Sequence, residues 1–140
     1  MKKTTIKDCL IIDLPVISSD RQGIITPIYN NVHIPFNIQR VYYLYDVPAG
    51  SKRGGHGHKE LEQLIVAASG SFDVVMNDGK DEVVFNLNRP SFGLYVPPMM
   101  WRELKFFSGG AICLVLASLP YDEEDYYRNY ENFVKTKWQK

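Results

Sequence analysis

Turn-forming residues cut this chain into short pieces, and that punctuation decides its fold class. From Arg40 onward, β-branched and aromatic runs alternate with turn clusters. These are Pro48-Ala49-Gly50, Ser69-Gly70, Asn77-Asp78-Gly79-Lys80, Asn88-Arg89-Pro90, Pro97-Pro98 and Ser108-Gly109-Gly110. Glycine and asparagine accept positive φ, and proline cannot donate to a ladder, so each cluster ends one strand and starts another. Strands are expected over 6–13, 24–29, 40–47, 61–68, 71–76, 82–87, 92–96, 101–107 and 111–118. In the 40–47 strand, alternation places Tyr43 and Tyr45 on one face, and Tyr42, Leu44 and Asp46 on the other. The 61–68 run is apolar enough for a strand buried on both faces.

The tail reads differently. Glu123, Glu124 and Asp125 suit a helix N-terminus, where carboxylates meet free N–H groups and the positive end of the dipole. Tyr126, Tyr130, Phe133 and Val134 then recur at helical spacing, with Lys135 and Lys137 at the far end, so one amphipathic helix is predicted over 122–136. Short strands with only a terminal helix indicate an all-β sandwich or barrel, in one domain spanning 1–140.

Composition removes several function classes. Sixteen Lys and Arg balance sixteen Asp and Glu, so nothing points to nucleic acid or an anionic membrane. Cys9 and Cys113 lie in apolar runs without CxxC or finger spacing, and are read as buried free thiols. No apolar run approaches the ~20 residues that span a bilayer. The first residues are basic, but Asp8 and Asp13 interrupt any signal-peptide core. A soluble cytoplasmic protein is expected.

The chemistry concentrates in Gly50 to Gln63, GSKRGGHGHKELEQ, which holds two of the three histidines. The third, His33, lies beside Pro35 and is read as a loop-packing residue. If the stretch is extended, His56, His58 and Glu62 share a face, and three roles are open: metal ligation, proton transfer or packing. His-x-His-x3-Glu is a plausible set of three metal ligands. A double-sheet jelly roll of the cupin type resembles the chain here, since Gly50, His56, His58 and Glu62 match the usual first cupin motif. Its following glycine is displaced by one, to Gly70. The second motif should add a histidine after the proline turn, where this chain has Trp101 and Arg102. A permanent cation there disfavours a second one, so no metal is expected. Proton transfer fits better: imidazole titrates near neutrality, and Arg53, Lys59 and Arg102 would stabilise an enolate or a phosphate.

A wider set of motifs resembles the nucleotide-sugar 3,4-ketoisomerases. They are R-x-Y-Y at Arg40 to Tyr43, R-G-x-H-x-H-K at Arg53 to Lys59 and L-E-Q at Leu61 to Gln63. G-L-Y-V-P at Gly93 to Pro97, W-x-E at Trp101 to Glu103 and D-E-x-D-Y-x-R-x-Y-x-N-F from Asp122 to Phe133 complete it. The resemblance implies a metal-free jelly-roll cupin without cofactor, acting on dTDP-4-keto-6-deoxyglucose for deoxyamino-sugar synthesis. It also implies a homodimer that exchanges strands. In it, His56 is the base and His58 its proton-shuttling partner, while Arg53 and Lys59 hold pyrophosphate or an oxyanion. Arg40, Tyr43, Gln63, Tyr95 and Glu103 are further candidate substrate contacts, and Trp101 either stacks on a ring or fills the barrel. The family often has H-A-H, so Gly57 departs from it and loosens the backbone. Arg102 stands where a galacto-forming branch has histidine, and Gln22 marks another place where branches differ; together they favour the gluco product.

Three alternatives stay open. A dTDP-sugar epimerase shares the fold but usually carries a His–Asp pair, which is not evident in the sequence. A metal-dependent cupin enzyme and a non-catalytic sugar-binding module are the others.

Overall fold

The structure, a computed structural model, describes residues 3–139. Twelve strands form in it: β1 (Leu10–Asp13), β2 (Ile17–Ser19), β3 (Gly23–Ile25), β4 (Arg40–Leu44), β5 (Arg53–His58) and β6 (Gln63–Ser69). After them come β7 (Phe72–Asn77), β8 (Glu82–Leu87), β9 (Phe92–Val96), β10 (Trp101–Lys105), β11 (Ile112–Ala117) and β12 (Tyr126–Tyr127). A single α-helix, α1 (Tyr130–Trp138), closes the described chain.

Two five-stranded sheets, β1-β9-β6-β11-β4 and β12-β5-β10-β7-β8, enclose the core, while β2 and β3 form a separate hairpin. All strand pairs are antiparallel. This is the jelly-roll cupin architecture, an all-β fold with a short C-terminal helix. Between the sheets, Ile65, Phe72, Val74, Met76, Leu87, Leu94 and Val115 pack into one apolar end. β6 is buried on both faces as its composition implies. Ile65 and Ala67 join this core, while Leu64 and Val66 pack outward against Leu14, Ile34 and Phe36.

Three expectations change. Residues 6–8 form a 3-10 turn capped by Thr5, so the first strand shortens to β1. The hairpin pairs Ile17 with Ile25 through a turn with Arg21 at φ 62, instead of a lone strand over 24–29. The helix begins at Tyr130, not at Asp122. Asp122 caps only a 3-10 turn, Glu123–Asp125. Tyr126 and Tyr127 then pair with His58 and Gly57, and the Asn129 side chain caps α1 by accepting from Asn132 N–H at 2.9 Å.

Helix α1 docks on the outside of the second sheet. Phe133 is fully buried against Met99 and Trp101. At its end, Trp138 Nε1 donates to the Asp78 carbonyl at 2.9 Å, on the β7–β8 turn. The Lys137 ammonium is buried and donates to the Met99 carbonyl at 2.6 Å. Both cysteines are buried free thiols, and burial pushes each up to about 12. Among the described residues no helix is long and apolar enough to cross a membrane.

Candidate active site

Strand alternation on β5 puts His56 and His58 on one face, with ring centroids 4.8 Å apart and planes nearly perpendicular. A Cβ on Gly57, between them, would meet the Phe133 ring at 3.1 Å and the Met100 carbonyl at 3.3 Å. The glycine therefore makes room for helix α1, which is a different use from loosening the strand.

His56 lines a cavity of about 400 Å³, a volume suited to a small-molecule ligand. Arg40, Arg53 and Arg128 line it too, together with Tyr42 and Tyr126, and among the described residues no carboxylate does. A neutral chain has thus gathered three guanidinium groups around one opening, which is the electrostatics of an anion site. Arg40 lies over the rings of Tyr42 and Tyr121, and its buried Nε has no hydrogen-bond partner among the described residues. Arg128 lies 4.2 Å from the Tyr126 ring centroid and is held by Glu123 through bonds of 2.6 and 2.8 Å. That arginine and the Tyr121 hydroxyl hold the Glu123 carboxyl down at about 2.

A buried polar layer stands behind this wall. Arg102 pairs across the ladder with His56 and is only 2% exposed. Its guanidinium donates to the Gln63 side-chain oxygen, and Gln63 Nε2 donates to the Tyr42 hydroxyl at 3.1 Å. Burial lowers Arg102 to about 10, which leaves it charged at neutral pH. Beside it, His58 Nδ1 lies 3.1 Å from Asp125 Oδ2. Burial, reinforced by Arg102 and His56, pushes the imidazole far below its ordinary value and keeps it neutral. Tyr126 packs on both imidazoles, at 5.1 and 4.3 Å between ring centroids.

The remaining candidates scatter. Tyr43 is outward with Tyr45, so Tyr42 takes the inward place that the sequence reading offered to Tyr43. Glu103 and Trp101 face the helix side of β10, near Tyr130, where Trp101 fills space against Phe133. Lys59 is exposed and rests over the Tyr127 ring. Gln22 sits in the β2–β3 turn beside Ser19. The Tyr95 hydroxyl donates to Glu62 at 2.6 Å, away from the histidines. Glu62 therefore leaves the His-x-His-x3-Glu set, and among the described residues no three His, Cys, Asp or Glu cluster as metal ligands. The donor set does not fit a metal. His33 packs locally, its Nδ1 accepting from Tyr29 N–H at 2.8 Å.

Sequence reasoning passed over Tyr42, Asp125, Tyr126 and Arg128. The last three lie inside the D-E-x-D-Y-x-R motif, but reading its acidic run as a helix start hid their use. The His–Asp pair that the sequence did not show is present, assembled from β5 and the tail.

Two facing sheets with a histidine- and arginine-walled opening define a cupin-type protein with a cationic cavity. The sequence model described as FdtA: WxcM-like, C-terminal, matches residues 7–138, and the chain belongs to this FdtA family. It is 45% identical over 116 residues to the TDP-4-oxo-6-deoxy-alpha-D-glucose-3,4-oxoisomerase of Aneurinibacillus thermoaerophilus, covering 83% of this chain and 84% of that protein. The TDP-quinovose 3,4-ketoisomerase WlaRB from Campylobacter jejuni is 47% identical, with a TM-score of 0.88 over 92% of this chain and 98% of that one. QdtA, a sugar 3,4-ketoisomerase from Thermoanaerobacterium thermosaccharolyticum solved in complex with TDP, is 39% identical. It superposes with a TM-score of 0.91 over 95% of this chain and 96% of its own.

Proposed function

We propose that this chain is a sugar-nucleotide 3,4-ketoisomerase converting dTDP-4-keto-6-deoxyglucose to a dTDP-3-keto-6-deoxyhexose. The observation that carries this is His56 on the wall of a cavity whose other charged groups are three arginines. Arg40, Arg53 and Arg128 hold the diphosphate, and the sugar lies against His56. His56 takes the C3 proton, and the electron pair left behind forms the C3–C4 double bond of an enediolate. A proton returned to C4, with the hydroxyl proton passing from O3 to O4, completes the move without any co-reactant. His58 is the neutral partner in that shuttle. Arg102, the ladder partner of His56, stabilises the anionic intermediate, while the arginines of the wall act on the diphosphate.

We assign the gluco configuration at C4. Arg102 stands where the galacto-forming branch has histidine, and it keeps its proton at neutral pH, so it does not serve as the acid that histidine would supply to C4. The similarity to a TDP-quinovose enzyme supports the same product, quinovose being 6-deoxyglucose. A 3-keto sugar is the substrate that a 3-aminotransferase requires, which puts the reaction ahead of deoxyamino-sugar formation. Free buried thiols suit the reducing cytoplasm.

The active form is a homodimer with exchanged strands. The β2–β3 hairpin pairs with no other strand among the described residues, and Ile17, Ile24 and Ile25 on it are exposed. Val41, Tyr43 and Tyr45 extend an apolar surface from β4, an open edge of the first sheet.

The His58–Asp125 pair favours a second reading, a 3- or 5-epimerase acting on the same substrate. NMR of the product from dTDP-4-keto-6-deoxyglucose separates them. A carbonyl at C3 supports the ketoisomerase, and an inverted ring that retains C4=O overturns it.

A further inference from the structure

The second histidine is held by a three-sided carboxylate site built from the tail. Asp125 Oδ1 accepts from Glu60 N–H at 2.8 Å, and Oδ2 accepts from Leu61 N–H at 3.3 Å. The Asp125 backbone carbonyl accepts from Lys59 N–H at 2.9 Å, so the β5–β6 turn wraps around this one residue. Backbone N–H groups only donate, and a carboxylate with two of them bound is an acceptor. The remaining partner, His58 Nδ1, must therefore carry the proton.

The other nitrogen follows from this. His58 is 1% exposed, and its Nε2 has no hydrogen-bond partner among the described residues. A doubly protonated ring is disfavoured by burial and by the positive charge of Arg102, His56, Arg40 and Arg128. We propose that Asp125 is a positioning residue that fixes His58 as the Nδ1–H tautomer, leaving Nε2 as a buried hydrogen-bond acceptor on the ring that packs against His56. The role extends the isomerase reading above and rests on it for turnover, while the tautomer itself can be measured without turnover. A buried acceptor with nothing to accept costs stability, and a site can carry that cost where the acceptor is used in the reaction. It also explains why the tail is seated on β5. Strand β12 brings Asp125 to one histidine, and lays Tyr126 over both.

The test is the ¹⁵N spectrum of the imidazoles in the folded protein, with the Asp125→Asn variant beside it. In the wild type, His58 should show a protonated Nδ1 and a bare Nε2 throughout the neutral range. In Asp125→Asn, the carboxamide nitrogen replaces Oδ2 and donates to Nδ1, so the proton should move to Nε2. With it, kcat should fall about 100-fold while affinity for TDP changes less than about twofold. An Nε2–H tautomer or an imidazolium in the wild type overturns the proposal. So does a folded, TDP-binding variant with unchanged kcat. If the variant does not fold, the wild-type spectrum decides alone. A wild type that shows the expected tautomer but makes no 3-keto product would refute the isomerase reading and leave the positioning role of Asp125 standing.

Discussion

Arg102 and Gln63 meet inside the barrel from opposite sheets, the guanidinium of one donating to the side-chain oxygen of the other. Each is 2% exposed, so the arginine's charge depends on this bond and on the Met100 carbonyl for its hydrogen bonding. Gln63→Leu keeps the volume and removes the acceptor. The variant should unfold at lower urea concentration, with a loss of about 2–3 kcal/mol from the unpaired buried cation. Its kcat should fall as well, because the Tyr42 hydroxyl loses the donor that orients it.

Arg128 should act on binding more than on chemistry. It sits on the cavity wall and is already anchored by Glu123, so it presents a preorganised charge. Arg128→Ala should weaken TDP binding about tenfold in calorimetry, the size of one charge-assisted hydrogen bond. KM should rise with it, and kcat should change little. Added salt should narrow the difference between wild type and variant.

Lys137 makes stability depend on pH in a definite direction. Burial lowers it to about 8 from an ordinary 10.5. Between those values the unfolded chain holds a proton that the folded chain has released, so stability gains with rising pH. Relative to Lys137→Met, the wild type should become more stable from about pH 8 to 10 in urea titrations. Burial pushes Cys9 and Cys113 up to about 12, so both thiols stay protonated in the folded wild type and variant across that window.

Gly79 secures the helix end. It holds φ +96, and a Cβ there would lie 2.6 Å from Trp138 Nε1. Gly79→Ala should cost about 1–3 kcal/mol through backbone strain and displacement of the indole. Tryptophan fluorescence should report the undocking of Trp138, since Lys80 Nζ no longer rests 3.9 Å from its ring centroid.

Local chemistry made much of this legible. Asn77-Asp78-Gly79-Lys80 marks the β7–β8 hairpin because Gly79 supplies the positive φ the turn needs. Period-two alternation separates Tyr42 from Tyr43, and brings His56 to His58 on one strand face. What the sequence hid is nonlocal. Asp125 reaches His58 across 67 residues, and no local pattern announces that contact. The helical spacing seen from Tyr126 holds only from Tyr130 onward, because Tyr126 and Tyr127 find ladder partners on β5. The family resemblance makes Glu103 a candidate sugar contact, but the parity of β10 turns it to the helix side and sends Arg102 inward.

The most direct measurement follows deuterium into the sugar. Wild type and His56→Asn are each incubated with dTDP-4-keto-6-deoxyglucose in D₂O, and the C3 proton is followed by NMR. The wild type should lose that signal as the carbonyl moves. The variant should retain it while still binding TDP. Full C3 exchange in folded, TDP-binding His56→Asn would contradict the assignment of His56 as the base.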